Sequence, residues 1–171
     1  MVKARPFNSM DGRTKPCTRD HGGTKKVLFI CTHNSARSQM AEGFLNCLYG
    51  DRYQAYSAGV RPGRVNPLAI DVMSEAGIDI SHQRSKSVEE VIENFFDTVV
   101  TVCDSARETC PIYPGGAEVL HHSFEDPSSF DGTPEEVAKK FRQIRDEIKE
   151  WVEAAFGPSS PRYRSRPSEF S

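Results

Sequence analysis

Near the start of this chain, a short apolar run leads through a few small residues directly into a helix-forming segment. The run, VLFIC at residues 27–31, is long enough for a buried strand and too short for a helix. After the loop THNSAR, residues 38–50 carry apolar side chains at helical spacing and close on a glycine, which suits a helix C-terminus. A strand that turns at once into a helix leaves its last residue, Cys31, beside the backbone N–H groups of the turn.

The alternation of strands and helices continues along the chain. It predicts an α/β fold with three layers, in which a parallel sheet carries helices on both faces. Active sites of such sheets lie at the carboxyl ends of the strands, where we expect both Cys31 and Cys103. The remaining strand segments are residues 53–59, 97–103 and 117–124, and the remaining helix segments are 66–77, 87–95 and 133–156.

Composition narrows the class of protein. The chain has 171 residues, a net charge of −2 and 37% hydrophobic residues, as a globular domain of ordinary size has. The near-neutral charge argues against a nucleic-acid partner. No apolar run approaches the roughly 20 residues that span a bilayer, and the N-terminus lacks the apolar core of a secretory signal. We therefore expect a cytoplasmic protein, and in the reducing cytosol the thiols of its five cysteines serve chemistry more often than structural disulfides.

Both ends of the chain differ in composition from its body. Residues 1–25 contain prolines, a Gly-Gly pair and many charges without apolar periodicity, which predicts a flexible N-terminal tail. Residues 157–171 are rich in Pro, Ser and Arg, which predicts a flexible C-terminal tail. The catalytic domain is then expected at residues 26–156.

The loop after Cys31 follows the pattern C-x5-R-S. Small residues entering a helix N-terminus point N–H groups at one spot, and the helix dipole makes that spot attractive to a tetrahedral oxyanion. Arg37 can add a bidentate hydrogen bond to the oxyanion. The positive potential at the helix N-terminus also favours the thiolate of Cys31, which is the nucleophilic form. The alternative is a buried core thiol, as free cysteines often are. The predicted oxyanion-binding residues are Thr32, His33, Asn34, Ser35, Ala36, Arg37 and Ser38.

Several stretches resemble one known family in order and spacing. They are VLFICTHNSARSQMAEG, YSAG, VNPLAIDVMSEAGIDIS and FEDP. Across about residues 26–152 the chain is similar to the low-molecular-weight tyrosine phosphatase fold, and most closely to its thioredoxin-coupled arsenate reductase branch. The resemblance implies a four-stranded parallel sheet and a general acid at Asp126. Without the loop, Glu125 and Asp126 would equally suit a solvated turn before Pro127.

The segment TVCDSARETCPIYP bears on the choice between phosphatase and reductase. A phosphatase cycle ends with water, whereas a reductase needs two electrons, which thiols can supply. Cys103 and Cys110 resemble the redox pair of the reductase branch. The alternative is a zinc half-site or two incidental thiols, but zinc sites use closer spacing and a second pair.

The resemblance implies a relay of three cysteines. Cys31 attacks arsenate, and Cys103 then attacks Cys31 and releases arsenite. Cys110 finally attacks Cys103, which frees Cys31 and forms a Cys103–Cys110 disulfide. Thioredoxin would reduce the Cys103–Cys110 bond. The resemblance therefore implies arsenic detoxification, with no bound cofactor, no metal and electrons from thioredoxin.

In some relatives a potassium ion stabilises the loop, held by an Asn, a Glu, a Ser and an Asp. Asn34, Glu42 and Ser57 match three of these, whereas Lys86 stands where the Asp is expected. A lysine ammonium could take the place of the cation, and the alternative is an exposed lysine.

Two other functions stay open at this stage: a low-molecular-weight tyrosine phosphatase, and a non-catalytic oxyanion-binding or thiol redox-sensing module. We expect a monomer. His121 and His122 are adjacent on a strand, so they point to opposite faces and do not suit a shared metal.

Overall fold

Strand β1, Lys25–Cys31, lies inside a parallel sheet of four strands. A computed structural model describes residues 24–109 and 117–164. The strand order is β2-β1-β3-β4, and every neighbouring pair is parallel, as predicted. The last five residues of β1 are buried, which explains why its sequence is a continuous apolar run instead of an alternating one. The other strands are β2 (Tyr53–Gly59), β3 (Thr98–Thr101) and β4 (Glu118–His121).

Helices flank this sheet. Helices α1, α2 and α5 contact one another, whereas α3 contacts β2 and α4 contacts β1 and β3. The predicted helices are present, and α4, which follows Cys103 directly, was not among them. The helices are α1 (Arg37–Tyr49), α2 (Pro67–Glu75), α3 (Val88–Val91), α4 (Asp104–Thr109), α5 (Pro134–Phe156) and α6 (Pro161–Arg164).

The long helix α5 begins where its sequence signals place the start. The Thr133 side chain accepts from the N–H of Glu136, whose side chain bonds back to the Thr133 N–H. Its apolar side chains form one stripe that is buried, apart from Val137, which is only half-buried. The buried positions of the stripe are Phe141, Ile144, Ile148, Val152 and Phe156.

Helix α3 is shorter than the predicted segment 87–95. Ser87 forms a capping box with Glu90, so the helix starts as expected. Only Val88 and Val91 of this helix are buried, and Glu93, Asn94 and Phe95 are exposed. One buried turn supplies too little packing to hold a longer helix, because most helical stability comes from tertiary contacts.

The C-terminal end of the described chain contacts the body of the fold. Arg162 pairs with Glu118 of β4 at 2.7 Å, and the Ser160 hydroxyl donates to the Ala155 carbonyl at 2.5 Å. Residues 157–164 therefore lie against the body although they fall within the predicted C-terminal tail. The domain bounds themselves remain predictions. Within the described ranges, no helix is long and apolar enough to cross a membrane.

Candidate functional site: an oxyanion loop with a second thiol

The Cys31 thiol is held at the junction of β1 and α1. It is 2% exposed and is the last residue of its strand. The Asn34 N–H donates to its sulfur at 3.1 Å, and the Ser38 hydroxyl lies 2.8 Å from the same sulfur. Two groups that can donate a hydrogen bond therefore lie within reach of one sulfur atom.

The direction of the Ser38 bond follows from its other partner. The Asn34 side-chain amide donates to the Ser38 oxygen at 2.8 Å, so that oxygen already serves as an acceptor. The hydroxyl proton is left to point at Cys31. Asn34 and Ser38 thus act in series to stabilise negative charge on the sulfur.

Asn34 also fixes the shape of the loop. Its φ is +50°, in the left-handed region that Asn tolerates better than most residues. Its side-chain oxygen accepts from the Lys86 N–H at 2.9 Å and from the Gln39 amide at 2.9 Å. Gln39 in turn bonds Gln83, with the Gln83 amide donating to its side-chain oxygen at 2.8 Å. The side-chain amides of Asn34, Gln39 and Gln83 therefore form a network that supports the loop.

Arg37 occupies the first position of α1 and faces the same spot. Its guanidinium donates to the Phe124 carbonyl at 3.2 Å and lies 3.5 Å from the Asp126 carboxylate. The N-cap residue Ala36 offers no side chain to the first turn, so those N–H groups remain available to an anion. A small cavity of about 150 Å³ is lined by Cys31, Arg37, Asp126, His33, Ser35, Ala36, Asn66 and Ser128.

The two acidic residues before Pro127 have different surroundings. Asp126 has extended backbone, accepts from the Ser128 N–H at 2.9 Å, and reaches the cavity beside Arg37. Glu125 pairs with Lys140 of α5 at 2.5 Å. Of these two carboxylates, Asp126 is the one that contacts the Arg37 guanidinium.

A second free thiol lies close to the loop. Cys103 is 4% exposed, and its sulfur lies 3.3 Å from the Thr32 hydroxyl and 3.4 Å from the Ala106 N–H. Strands β1 and β3 are neighbours, with Ile30 opposite Thr101, so their carboxyl ends bring Cys31 and Cys103 to one edge. Cys110 lies outside the described residues.

A wider cavity of about 450 Å³ opens between these parts. Residues from the loop, the start of α4 and the segment before Pro127 line it, so both thiol regions and the carboxylate share one opening. The lining residues are Thr32, His33, Arg37, Cys103, Asp104, Ser105, Ser123, Phe124, Glu125 and Asp126.

The comparisons with known proteins agree with this geometry. The family model described as low molecular weight phosphotyrosine protein phosphatase matches residues 26–157. The chain belongs to this family. An arsenate reductase from Halalkalibacterium halodurans is 45% identical over 124 residues, which cover 72% of this chain and 89% of that protein.

Solved structures point to the same branch of the phosphatase family. An arsenate reductase in the phosphate-binding state has a TM-score of 0.66 and 36% identity, covering 76% of this chain and 95% of that one. A thioredoxin-dependent arsenate reductase from Corynebacterium glutamicum has a TM-score of 0.58 and 31% identity, covering 78% of this chain and 63% of that one. The resemblance to arsenate reductases and the predicted four-stranded sheet are confirmed.

The position expected for a cation in some members of the family holds a charged cluster here. Glu42 accepts from the Ser57 hydroxyl, and the Lys86 ammonium lies 4.0 Å from the Glu42 carboxylate and donates to the Arg84 carbonyl at 3.1 Å. The side chains of Glu42 and Lys86 are each 13% exposed. Burial raises the pKa of the Glu42 carboxyl, while the Lys86 charge and the Ser57 bond lower it. Asn34 contacts the Lys86 backbone, and Glu42 contacts both Ser57 and the Lys86 side chain.

Sequence reasoning found the phosphatase-family loop but missed the support from Gln39 and the contact between Thr32 and Cys103. Gln39 lies two residues beyond Arg37, and nothing in its local sequence distinguishes it from an exposed helix residue. Its amide also donates to the Arg84 carbonyl, from a segment 45 residues away. The contact between Thr32 and Cys103 likewise joins residues 71 positions apart. Contacts across such separations leave no periodic signal in one sequence.

The two adjacent histidines point apart, as predicted. The His121 ring bonds Thr101 and Asp104, at 2.8 and 3.1 Å. The His122 ring stacks on Trp151 with centroids 5.4 Å apart, and burial there lowers the His122 pKa. Neither ring is aimed at a metal site shared with the other.

Proposed function

We propose that this protein reduces arsenate to arsenite, with Cys31 as nucleophile and Cys103 as the second thiol. The observation that carries the proposal is the buried Cys103 thiol, 3.3 Å from the hydroxyl of Thr32, the residue directly after Cys31. An enzyme that only hydrolyses phosphate esters has no use for a second thiol at that position. The arsenate reductases among its relatives support the same assignment.

In the first step the Cys31 thiolate attacks the arsenic atom of arsenate. Arg37 and the N–H groups of the loop hold the oxyanion, and Asp126 donates a proton to the departing oxygen, which leaves as water. The Asp126 carboxylate is 3.5 Å from Arg37 and borders the same cavity as Cys31, so it is within reach of a bound oxyanion. The product is an adduct between sulfur and pentavalent arsenic.

In the second step the Cys103 thiolate attacks the Cys31 sulfur. The S–As bond breaks and its electron pair leaves with arsenic, so arsenic goes from the pentavalent to the trivalent state while two thiols become one disulfide. The Thr32 hydroxyl lies 3.3 Å from the Cys103 sulfur and can donate a hydrogen bond to it.

In the third step Cys110 attacks Cys103 and frees Cys31. A helical path through the segment would leave the Cα atoms of Cys103 and Cys110 about 10 Å apart at about 1.5 Å per residue. A disulfide requires about 7 Å or less, so α4 has to unwind for this exchange. Unwinding would expose the new disulfide to an external dithiol. Because one solved relative is thioredoxin-dependent, we propose thioredoxin as that donor.

We also propose that the Lys86 ammonium occupies the position that a potassium ion takes in some relatives. Its ammonium approaches Glu42 at 4.0 Å, so the loop would keep its shape without potassium. A steep rise of activity with potassium over sodium would contradict this role.

The decisive experiment measures arsenate-dependent NADPH oxidation with thioredoxin and thioredoxin reductase, beside an arm with glutathione and glutaredoxin. We expect multiple turnovers in the thioredoxin arm for the wild-type protein. The Cys110→Ser variant should release about one arsenite per protein and then stop, whereas Cys103→Ser should release none. Hydrolysis of p-nitrophenyl phosphate should persist in both variants, because it needs only the loop and Asp126.

Two outcomes would change the assignment. Sustained turnover of Cys110→Ser with thioredoxin would exclude the three-cysteine relay. No arsenite from the wild-type protein, together with intact hydrolysis of p-nitrophenyl phosphate, would favour a tyrosine phosphatase. Loss of both activities would favour a binding or redox-sensing module, against which the position of Asp126 beside Arg37 argues.

A further inference from the structure

His121, at the end of β4, connects three elements at the edge of the sheet that carries the thiols. Its Nδ1 lies 2.8 Å from the Thr101 hydroxyl of β3, and its Nε2 lies 3.1 Å from the Asp104 carboxylate of α4. Carboxylates only accept hydrogen bonds, so Nε2 carries a proton and donates to Asp104. The imidazole therefore ties the first residue of α4 to two strands.

The hydrogen bond from His121 to Asp104 also restrains Cys103, because Asp104 is the next residue along the chain. The Cys103 sulfur contacts the Thr32 hydroxyl and the Ala106 N–H, and both contacts require the start of α4 to stay in place. We propose that His121 is a positioning residue that, through Asp104, holds Cys103 against the oxyanion loop during the first thiol exchange. This inference rests on the proposed reductase function.

The exposure of the pair suits a contact that has to open later. The Asp104 side chain is 74% exposed and the His121 side chain 24%. A polar contact this exposed shifts a local equilibrium by about fivefold at most. That is enough to favour the docked state of α4 and too little to prevent the unwinding that a bond between Cys103 and Cys110 requires.

Alkylation of Cys103 by iodoacetamide tests the tie without arsenate or thioredoxin. The background is the full chain with Cys31→Ser and Cys110→Ser, and mass spectrometry of the Cys103 peptide gives the rate. We expect His121→Ala to react about fivefold faster, because opening of α4 exposes a thiol that is now buried. His121→Gln, which can still donate to Asp104, should react at a rate close to that of the background protein.

The sign of the change separates positioning from electrostatics. A substitution that only removed electrostatic support from the Cys103 sulfur would slow alkylation, whereas opening of α4 speeds it. Asp104→Ala should also react faster, whereas Asp104→Asn, which keeps an acceptor oxygen, should stay near the background rate. Glu108→Ala, on the same helix, is the matched control for the loss of a carboxylate and should leave the rate unchanged.

A second measurement tests whether the contact between His121 and Asp104 matters for arsenate reduction. With Cys110→Ser alone, His121→Ala should release its single arsenite about fivefold more slowly, while hydrolysis of p-nitrophenyl phosphate stays within twofold. Intact hydrolysis also shows that the variant folds. If alkylation of His121→Ala equals that of Glu108→Ala, the positioning role is wrong. If the alkylation rates differ but the wild-type protein releases no arsenite, the reductase proposal fails and the tie between His121 and α4 stands.

Discussion

Gly59, the last residue of β2, packs directly against the oxyanion loop. A Cβ atom at this position would lie 2.8 Å from the Asn34 nitrogen and 2.9 Å from both the Asn34 Cβ and the His33 carbonyl carbon. Two of these are backbone atoms, which cannot rotate out of the way. The Gly59→Ala substitution therefore has to displace the loop or the end of β2.

The size of the displacement follows from the distances. Ordinary contacts of a Cβ begin at 3.4 Å, so the backbone must retreat by about 0.6 Å. The atom that retreats is the nitrogen that donates to the Cys31 sulfur at 3.1 Å. We expect a loss of about 1–3 kcal/mol in the free energy of unfolding, as for other overpacked sites. Because a misplacement of about 1 Å can cost about a hundredfold in rate, kcat/KM for arsenate should fall by about tenfold or more.

Gly63→Ala is the matched control, since a Cβ there meets nothing within 4 Å. Urea denaturation measures the stability of both variants, and coupled NADPH oxidation measures kcat/KM. Gly63→Ala should match the wild-type protein or be slightly more stable. If Gly59→Ala keeps kcat/KM within twofold and its stability unchanged, the close approach of β2 does not constrain the loop and the reasoning is refuted.

Three further substitutions test the site. Ser38→Ala should slow alkylation of Cys31 at pH 7 by about tenfold, because a hydrogen bond to a charged group contributes about 1.5–3 kcal/mol; an unchanged rate would exclude that bond. Asp126→Asn should lower the rate of arsenate reduction by about a hundredfold, and should impair hydrolysis of phenyl phosphate more than that of p-nitrophenyl phosphate, whose leaving group needs less protonation. Because the pKa of Glu42 is raised, the folded state binds its proton more tightly than the unfolded state, and stability falls as pH rises from the ordinary Glu value to the raised one. Lys86→Met removes a charge that lowers the pKa of Glu42. Urea denaturation should therefore show a loss of about 1–3 kcal/mol in the free energy of unfolding at pH 7, and this loss should shrink toward pH 4. Equal losses at both pH values would contradict the pairing of Lys86 with Glu42.

Much of the fold follows from local sequence. The apolar run that ends at Cys31 predicts a buried strand, and the start of α5 at Thr133 follows from a capping box within four residues. The pattern C-x5-R-S locates the oxyanion loop because its chemistry depends on residues that are close in sequence. Helix α3 was predicted too long, because the helix propensity of residues 92–95 is not matched by buried contacts. The helical state of α4 was not foreseen, since DSARET suits a polar loop equally well.

The sequence by itself determined the type of fold and predicted an oxyanion-binding loop after Cys31, because both depend on periodicity and on spacing within about eight residues. Only the tertiary structure decided which groups surround that nucleophile. The approach of Cys103 to Thr32 and the hydrogen bond between His121 and Asp104 join segments that are 71 and 17 residues apart in the chain. Side chains of this kind meet because neighbouring parallel strands end at one edge, and one chain's residue order does not record which strands are neighbours.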